Sequence, residues 1–180
     1  MHLGLRLLFG FFLIAGLATV FVLRVFLVEV KPSVREVMED VLVDSANLLA
    51  EAAAPDLRAM PVGGTLEGTR FAASVADYAA RPIDARIWGL AKRTLDLRIT
   101  VTDAAGRVVF AAGGRDAVGA DHSRWRDVAL TLRGEYGARV TRDVAGDNRS
   151  AVMIVAAPIR EAGRIIGTLA VAKPMVTVQP

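Results

Sequence analysis

Apolar positions change their period twice along this chain. From Leu7 to Val28 they form one run, broken by a single charge at Arg24. A helix needs about 20 apolar residues to cross the hydrocarbon core of a bilayer, so the run predicts a membrane helix over residues 7–28, after a short N-terminus of residues 1–6. A signal peptide would have a shorter apolar stretch and a small-residue cleavage site. A buried core helix would seldom be apolar on every face. The run passes Ala15 and Ala18 without an A-x-A site, and an uncleaved anchor is the expectation. Arg24 lies near the far end, where its side chain can reach the headgroups.

After Lys31-Pro32-Ser33 the period becomes helical. Val34, Val37, Met38, Val41, Leu42, Leu48 and Leu49 recur on one side, with Arg35, Glu36, Glu39, Asp40 and Asp44 mainly on the other. This predicts an amphipathic helix over about 33–54, ended near Ala54-Pro55 because proline disfavours helix in the residue before it. Val37, Val41 and Leu48 are expected to pack this helix on a sheet and so to join that sheet to the anchor. Pairing with a twin helix in a homodimer is the other use of the stripe. A weaker helix is predicted over about 65–80, ended by Arg81-Pro82. Residues 83–96 read as loop with some helix.

From Arg98 onward the period is two. Arg98–Thr102 and Arg107–Phe110 are strands joined by Asp103-Ala104-Ala105-Gly106, a hairpin. Ser123 can cap a short helix that Gly134 closes. Tyr136–Arg142, Ser150–Ile159 and Ile165–Ala172 complete five strands, all within 97–173. The predicted class is α+β: an anchor helix leading into a long helix, then a five-stranded, mainly antiparallel sheet with flanking helices. Residues 29–180 form the domain.

Composition adds an orientation and several exclusions. Hydrophobic residues make up 53% of the chain, and the excess sits in the anchor. Arg6 precedes it, a weak indication that the N-terminus is cytoplasmic and the domain lies outside. There is no cysteine, hence no disulfide and no lipid-modified thiol. The net charge of +3 is a small excess of arginine and not a basic run; the arginines alternate with aspartates, which argues against nucleic acid as a partner.

Candidate chemistry is sparse. His122 beside Asp121 has no second histidine in the domain to share a metal, and reads as a loop or helix-start residue. Asp143, Asp147 and Asn148 around Gly146 lack EF-hand spacing and read as a turn. No serine has an S-x-x-K or G-x-S-x-G setting. No catalytic or metal-binding residue is expected. Trp125 and Tyr136 can close a small-molecule pocket or simply fill the core. Arg98 and Arg139 can hold an anion or face solvent. Arg98 and Thr100 share a strand face that Met153 can line. The candidate ligand-binding residues are Arg98, Thr100, Trp125, Tyr136 and Met153.

The order of elements resembles the extracytoplasmic PAS-like fold of the single Cache family. Val101–Phe110 resembles its D-x-x-G-x-V hairpin, and Ala117–Val128 its G-x-D-x-S turn into a covering helix. Leu130–Arg139, Val155–Ile159, Gly167–Pro174, Gly4–Leu8 and Glu29–Pro32 resemble the sensory half of CreC-type sensor histidine kinases. That resemblance implies a bacterial inner-membrane protein with its sensor domain in the periplasm. It implies a homodimer, a small-molecule or protein ligand, and a response regulator reached through a kinase core. ATP and Mg would serve that core alone. His2 and His122 are the only histidines, and neither stands in an H-E-x-K-x-P setting. The other reading is the binding domain of a chemoreceptor, a diguanylate cyclase or a stand-alone periplasmic binding protein.

Overall fold

A computed structural model describes residues 2–26, 31–87, 90–93 and 96–175. The chain divides into two compact units, Met1–Asp40 and Val41–Pro180. In the first unit, α1 (His2–Val25) carries the apolar run. Its segment Gly4–Val25 has a mean hydropathy of 2.3, and none of it is buried. At 1.5 Å per residue those 22 residues extend roughly 33 Å, enough for a bilayer core of about 30 Å. Residues 27 and 28 of the predicted span lie outside the described residues.

Helix α2 (Lys31–Ala59) does not stop at Ala54-Pro55. A proline inside a helix costs about 3 kcal/mol through its missing N–H and its ring clash. Here the flanking turn is held by burial, because Ala53, Ala54 and Leu57 are all buried. Asp56 then ties α2 to α3 (Arg70–Ala80), its Oδ2 accepting the Phe71 N–H at 2.7 Å. Thr69 caps α3 by accepting from Ala72 N–H. The helix starts at Arg70 rather than near 65, because Leu66 is buried outside any helix and donates its N–H to the Val109 carbonyl.

The α2 stripe that faces inward shares Leu42 with the expected one but not Val37, Val41 or Leu48. Leu42, Ala46, Ala50, Ala53, Ala54 and Leu57 are buried, while Val37, Val41 and Leu48 are 65%, 57% and 74% exposed. The sheet already presents bulky Val, Leu, Met and Ile side chains, so close packing at interior density favours the alanine stripe. Leu57 approaches β7 where Gly167 leaves room: a Cβ there would come within 2.8 Å of Leu57 Cδ2.

A short hairpin, β1 (Ala85–Ile87) with β2 (Leu90–Lys92), occupies the stretch read as loop and helix. Strands of three residues are too short to show a period. The main sheet is β3 (Arg98–Asp103), β4 (Val108–Ala112), β5 (Gly137–Arg142), β6 (Ala151–Glu161) and β7 (Arg164–Pro174), with α4 (Arg126–Leu132) between β4 and β5. Its order is β4-β3-β7-β6-β5, antiparallel throughout. The α+β class and the five antiparallel strands are as the sequence predicts. Strands β6 and β7 are central, which explains the nearly continuous apolar run of β6.

Side chains alternate across this sheet. Ile99, Val101, Met153, Val155, Leu169 and Val171 are buried on one face, and Phe71 of α3 meets Phe110 edge-on there at 5.5 Å. The other face carries Arg98, Thr100, Thr102, Arg139, Thr141, Val152 and Ile154. Thr102 and Thr168, directly paired across β3 and β7, share a buried hydrogen bond of 2.8 Å on that face.

Candidate functional site

The polar face of the sheet is roofed by the loop after β4 and by α4. Two glycines let the roof close. Gly106 takes φ +79° in the β3–β4 turn, and a Cβ there would lie 2.6 Å from Ser123 Cα. Gly137 opens β5 directly under α4, where any Cβ would collide with the Asp127 carbonyl and Thr131 Oγ1. Asp103 shapes the turn by accepting from Ala105 and Arg107 N–H. Asp121 does the same for Ser123 N–H; hydrogen bonds from Ser123 hold its carboxyl below the usual range. Ser123 therefore sits in the approach to α4, and its N-cap position falls to Trp125, which makes no side-chain cap bond.

Roof and sheet enclose a pocket of about 210 Å³. Arg98, Thr100 and Trp125 line it together with Arg115, Asp116, His122, Asp127, Arg139, Thr141 and Asp143, over a floor that includes Val152, Ile154, Ala170 and Ala172. Two expected residues are elsewhere. Met153 is buried on the opposite face, because its neighbours Val152 and Ile154 take the pocket side. Tyr136 precedes β5 and is 55% exposed.

The pocket's three arginines face three aspartates. Arg98 grips Asp143 with both terminal nitrogens, at 2.8 and 2.6 Å. This bidentate bond holds the Asp143 carboxyl below its ordinary range and raises the arginine. Arg115 donates to the Asp143 carbonyl at 2.9 Å. Arg139 Nε donates to Asp127 Oδ1 at 2.6 Å, and that carboxylate is almost fully buried. The Arg139 guanidinium also lies 4.1 Å from the Trp125 ring centroid, a cation–π distance. Asp116 accepts the Thr100 hydroxyl at 2.7 Å.

His122 is buried and stacked on Trp125, ring centroids 3.4 Å apart and planes 16° from parallel. Its Nε2 is 4.0 Å from Asp116 Oδ1. Burial pushes its pKa down, Asp116 and Asp127 oppose that, Arg139 adds to it, and Asp121 opposes it. The imidazole is thus neutral at pH 7 and gains charge only in acid. Such a pocket can bind by exchange, a ligand carboxylate or amine taking the place of one internal partner. Among the described residues no three His, Cys, Asp or Glu side chains converge as a metal would need.

Of the five residues singled out in the sequence, Arg98, Thr100 and Trp125 come together at this pocket, and their partners went unrecognised. Arg139 shares their face by parity with Thr141. Asp116, Asp127 and Asp143 lie in a loop, a helix and a turn, and only the tertiary fold brings them together. His122, expected as a loop or helix-start residue, is in the pocket wall. The one signal available was its position three residues before Trp125.

No family model matches the chain. It is 45% identical over 180 residues to Sensor protein CreC of Escherichia coli (strain K12). The match takes in 100% of this chain and 37% of that protein, so the chain spans little more than a third of the relative's length. The part matched is the relative's N-terminal portion.

Proposed function

We propose, with that likeness as the premise, that the chain is the sensing and membrane-anchoring portion of a two-component sensor histidine kinase. The single observation that carries this reading is the 45% identity maintained from the first residue to the last. Helix α1 is the inner-membrane anchor with its N-terminus in the cytoplasm. Residues 29–180 form a periplasmic Cache or PAS-like domain; the β4-β3-β7-β6-β5 order supports that assignment. The pocket under α4 is the sensory site, and Arg98, Thr100 and Trp125 contact the ligand there.

A ligand signals only by binding two arrangements of the domain unequally, and coupling of about 1–3 kcal/mol is usual. Strand β7 lines the pocket with Ala170 and Ala172 and runs on to Pro174, so it is the route out of the site. Val37, Val41 and Leu48 are spaced four and seven apart along α2, as in a two-stranded seam. Exposed in one chain, they would pair in a homodimer and transmit the change. On this reading the relay to a response regulator runs through a kinase core, with its ATP and Mg, that residues 1–180 do not include.

Residues 1–180 exchanged for the corresponding portion of the Escherichia coli sensor test the reading. The chimera should phosphorylate the response regulator, and Arg98→Ala should alter its level without loss of the protein from the membrane. A chimera that is stable, inserted and silent under every growth condition would sink it. A periplasm-dependent phosphatase fused after Pro180 should be active; activity of a cytoplasmic reporter there would reverse the orientation.

A further inference from the structure

The helix-bearing face of the sheet has a cleft of its own. It lies between α2 and α3, is floored by Leu97 and Ile99, and has a volume of about 470 Å³. Small-molecule sites usually occupy about 300–1,000 Å³. The cleft falls within that range and the pocket under α4 falls below it. Leu49, Ala52 and Pro55 form the α2 wall, and Phe71 and Val75 part of the α3 wall.

The polar groups are arranged in a line. Arg70, Ser74 and Tyr78 also line the cleft, and residues four apart lie one above the other on a helix. All three can donate hydrogen bonds, and arginine can only donate. Asp56 is the carboxylate in the wall, and it already accepts the Phe71 N–H. Arg70 has no ion-pair partner among the described residues. At the Tyr78 end, burial and then Asp96 raise the phenol pKa, so that hydroxyl stays protonated; Asp96 itself is paired with Lys92 at 3.0 Å. Arg70 is therefore the group that an anion would pair with, next to an Asp56 carboxylate that the Phe71 N–H already engages.

We infer that this cleft is a second binding site, for a small carboxylic acid with an apolar aryl or alkyl body. The carboxylate pairs with Arg70, the body lies on Leu49, Val75, Leu97 and Ile99, and Ser74 and Tyr78 serve acceptors along one edge. Strand β3 separates this site from the pocket under α4, since Ile99 faces the cleft and Arg98 and Thr100 face the pocket. The inference does not depend on the sensor reading.

The full chain in lipid nanodiscs, with ¹³C-labelled Ile, Leu and Val methyls, provides the test. Titration with 4-phenylbutyrate, and with 4-phenylbutanol as the uncharged analogue, is read against empty nanodiscs. Saturable shifts are expected at Leu49, Val75, Leu97 and Ile99, with Val152 and Ile154 unmoved. Arg70→Gln should weaken the acid about fivefold and leave the alcohol unchanged, as loss of a charged hydrogen bond requires. Ala52 is exposed at the mouth, so Ala52→Phe should fill the cleft and abolish both titrations at an unchanged unfolding midpoint. If that midpoint falls, Ser74→Trp serves the same arm. No saturable shift, shifts at Val152 and Ile154 instead, or binding that survives the filled cleft would overturn the site. An acid-to-alcohol ratio unmoved by Arg70→Gln would overturn the ligand class.

Discussion

The two faces of the β3–β7 sheet are built from the same strands and solve opposite problems. One buries Ile99, Val101, Val155, Leu169 and Val171 without a charge among them. The other sets Arg98, Arg139 and two threonines of β3 over Val152 and Ile154, and satisfies each with a partner from the roof or the sheet. Among the described residues no buried side-chain polar atom lacks a hydrogen bond. The apolar face holds the domain together by removing surface from water. The polar face adds little net stability, because its charges give up hydration to find each other. It gains specificity instead, with every group held in place by a named partner.

The largest expected effect comes from cutting into the apolar face. Leu169 is fully buried at the centre of β7. Leu169→Ala should destabilise by about 2–5 kcal/mol, the range for removing a core leucine and leaving a cavity. Chemical denaturation of the full chain would measure this. A loss under about 1 kcal/mol would mean that the face is loosely packed, and the contrast drawn between the faces would fail.

On the polar face the matching change is Asp127→Ala. It leaves Arg139 without its 2.6 Å partner under α4. Breaking a fully buried pair costs about 3–5 kcal/mol, but the Arg139 side chain keeps 20% of its exposure. A loss of about 1–3 kcal/mol is expected. Asp127→Asn, which retains an acceptor, should recover part of it. Equal losses for the two variants would show that charge, rather than the hydrogen bond, holds the roof.

A smaller effect should appear on acidification. His122 has its folded-state pKa lowered, mainly by burial. Between that value and the unfolded value of about 6.5 the unfolded chain binds more protons, so stability falls as pH falls. Its contribution is complete above about pH 6.5 and declines through the depressed folded value. Asp116, Asp121 and Asp127 moderate the slope, and Arg139 steepens it. The unfolding midpoint followed from pH 7.5 to 5 should decline less in His122→Gln than in the native chain. Identical curves would place the acid sensitivity elsewhere.

The apolar face was far more legible in the sequence than the polar one. Alternation along β3 and the length of the β6 run suffice for strands, and turn chemistry at Asp103–Gly106 suffices for the hairpin, because those signals are local. The pocket's aspartates are 12 to 45 residues from their arginines or threonine, and no local pattern records such pairs. Parity did exclude Tyr136 from the face of Arg139, and it also contained the fact that Met153 faces away from Val152. The α2 stripe failed for a different reason. Its helix has two apolar sides, and hydrophobicity alone favours the side with the larger residues. Packing on a bulky sheet selected the alanines.

That reversal sets the smallest expected effect. With Val41 on the packed side, Val41→Asp would bury a charge and cost several kcal/mol. Val41 is instead 57% exposed, five residues and so well round the helix from the fully buried Ala46. A surface substitution of this kind usually changes stability by no more than about 0.5 kcal/mol, and aspartate adds only a modest loss of helix propensity. Ala46→Asp should by contrast prevent folding or cost several kcal/mol. Denaturation of both variants at low protein concentration, where an association through the exposed seam is minimised, gives the comparison. If Val41→Asp is neutral there but becomes destabilising as concentration rises, the seam is closed by a second copy of the chain. If it is as damaging as Ala46→Asp at every concentration, the valine stripe packs on the domain after all and the assignment of the two sides of α2 is wrong.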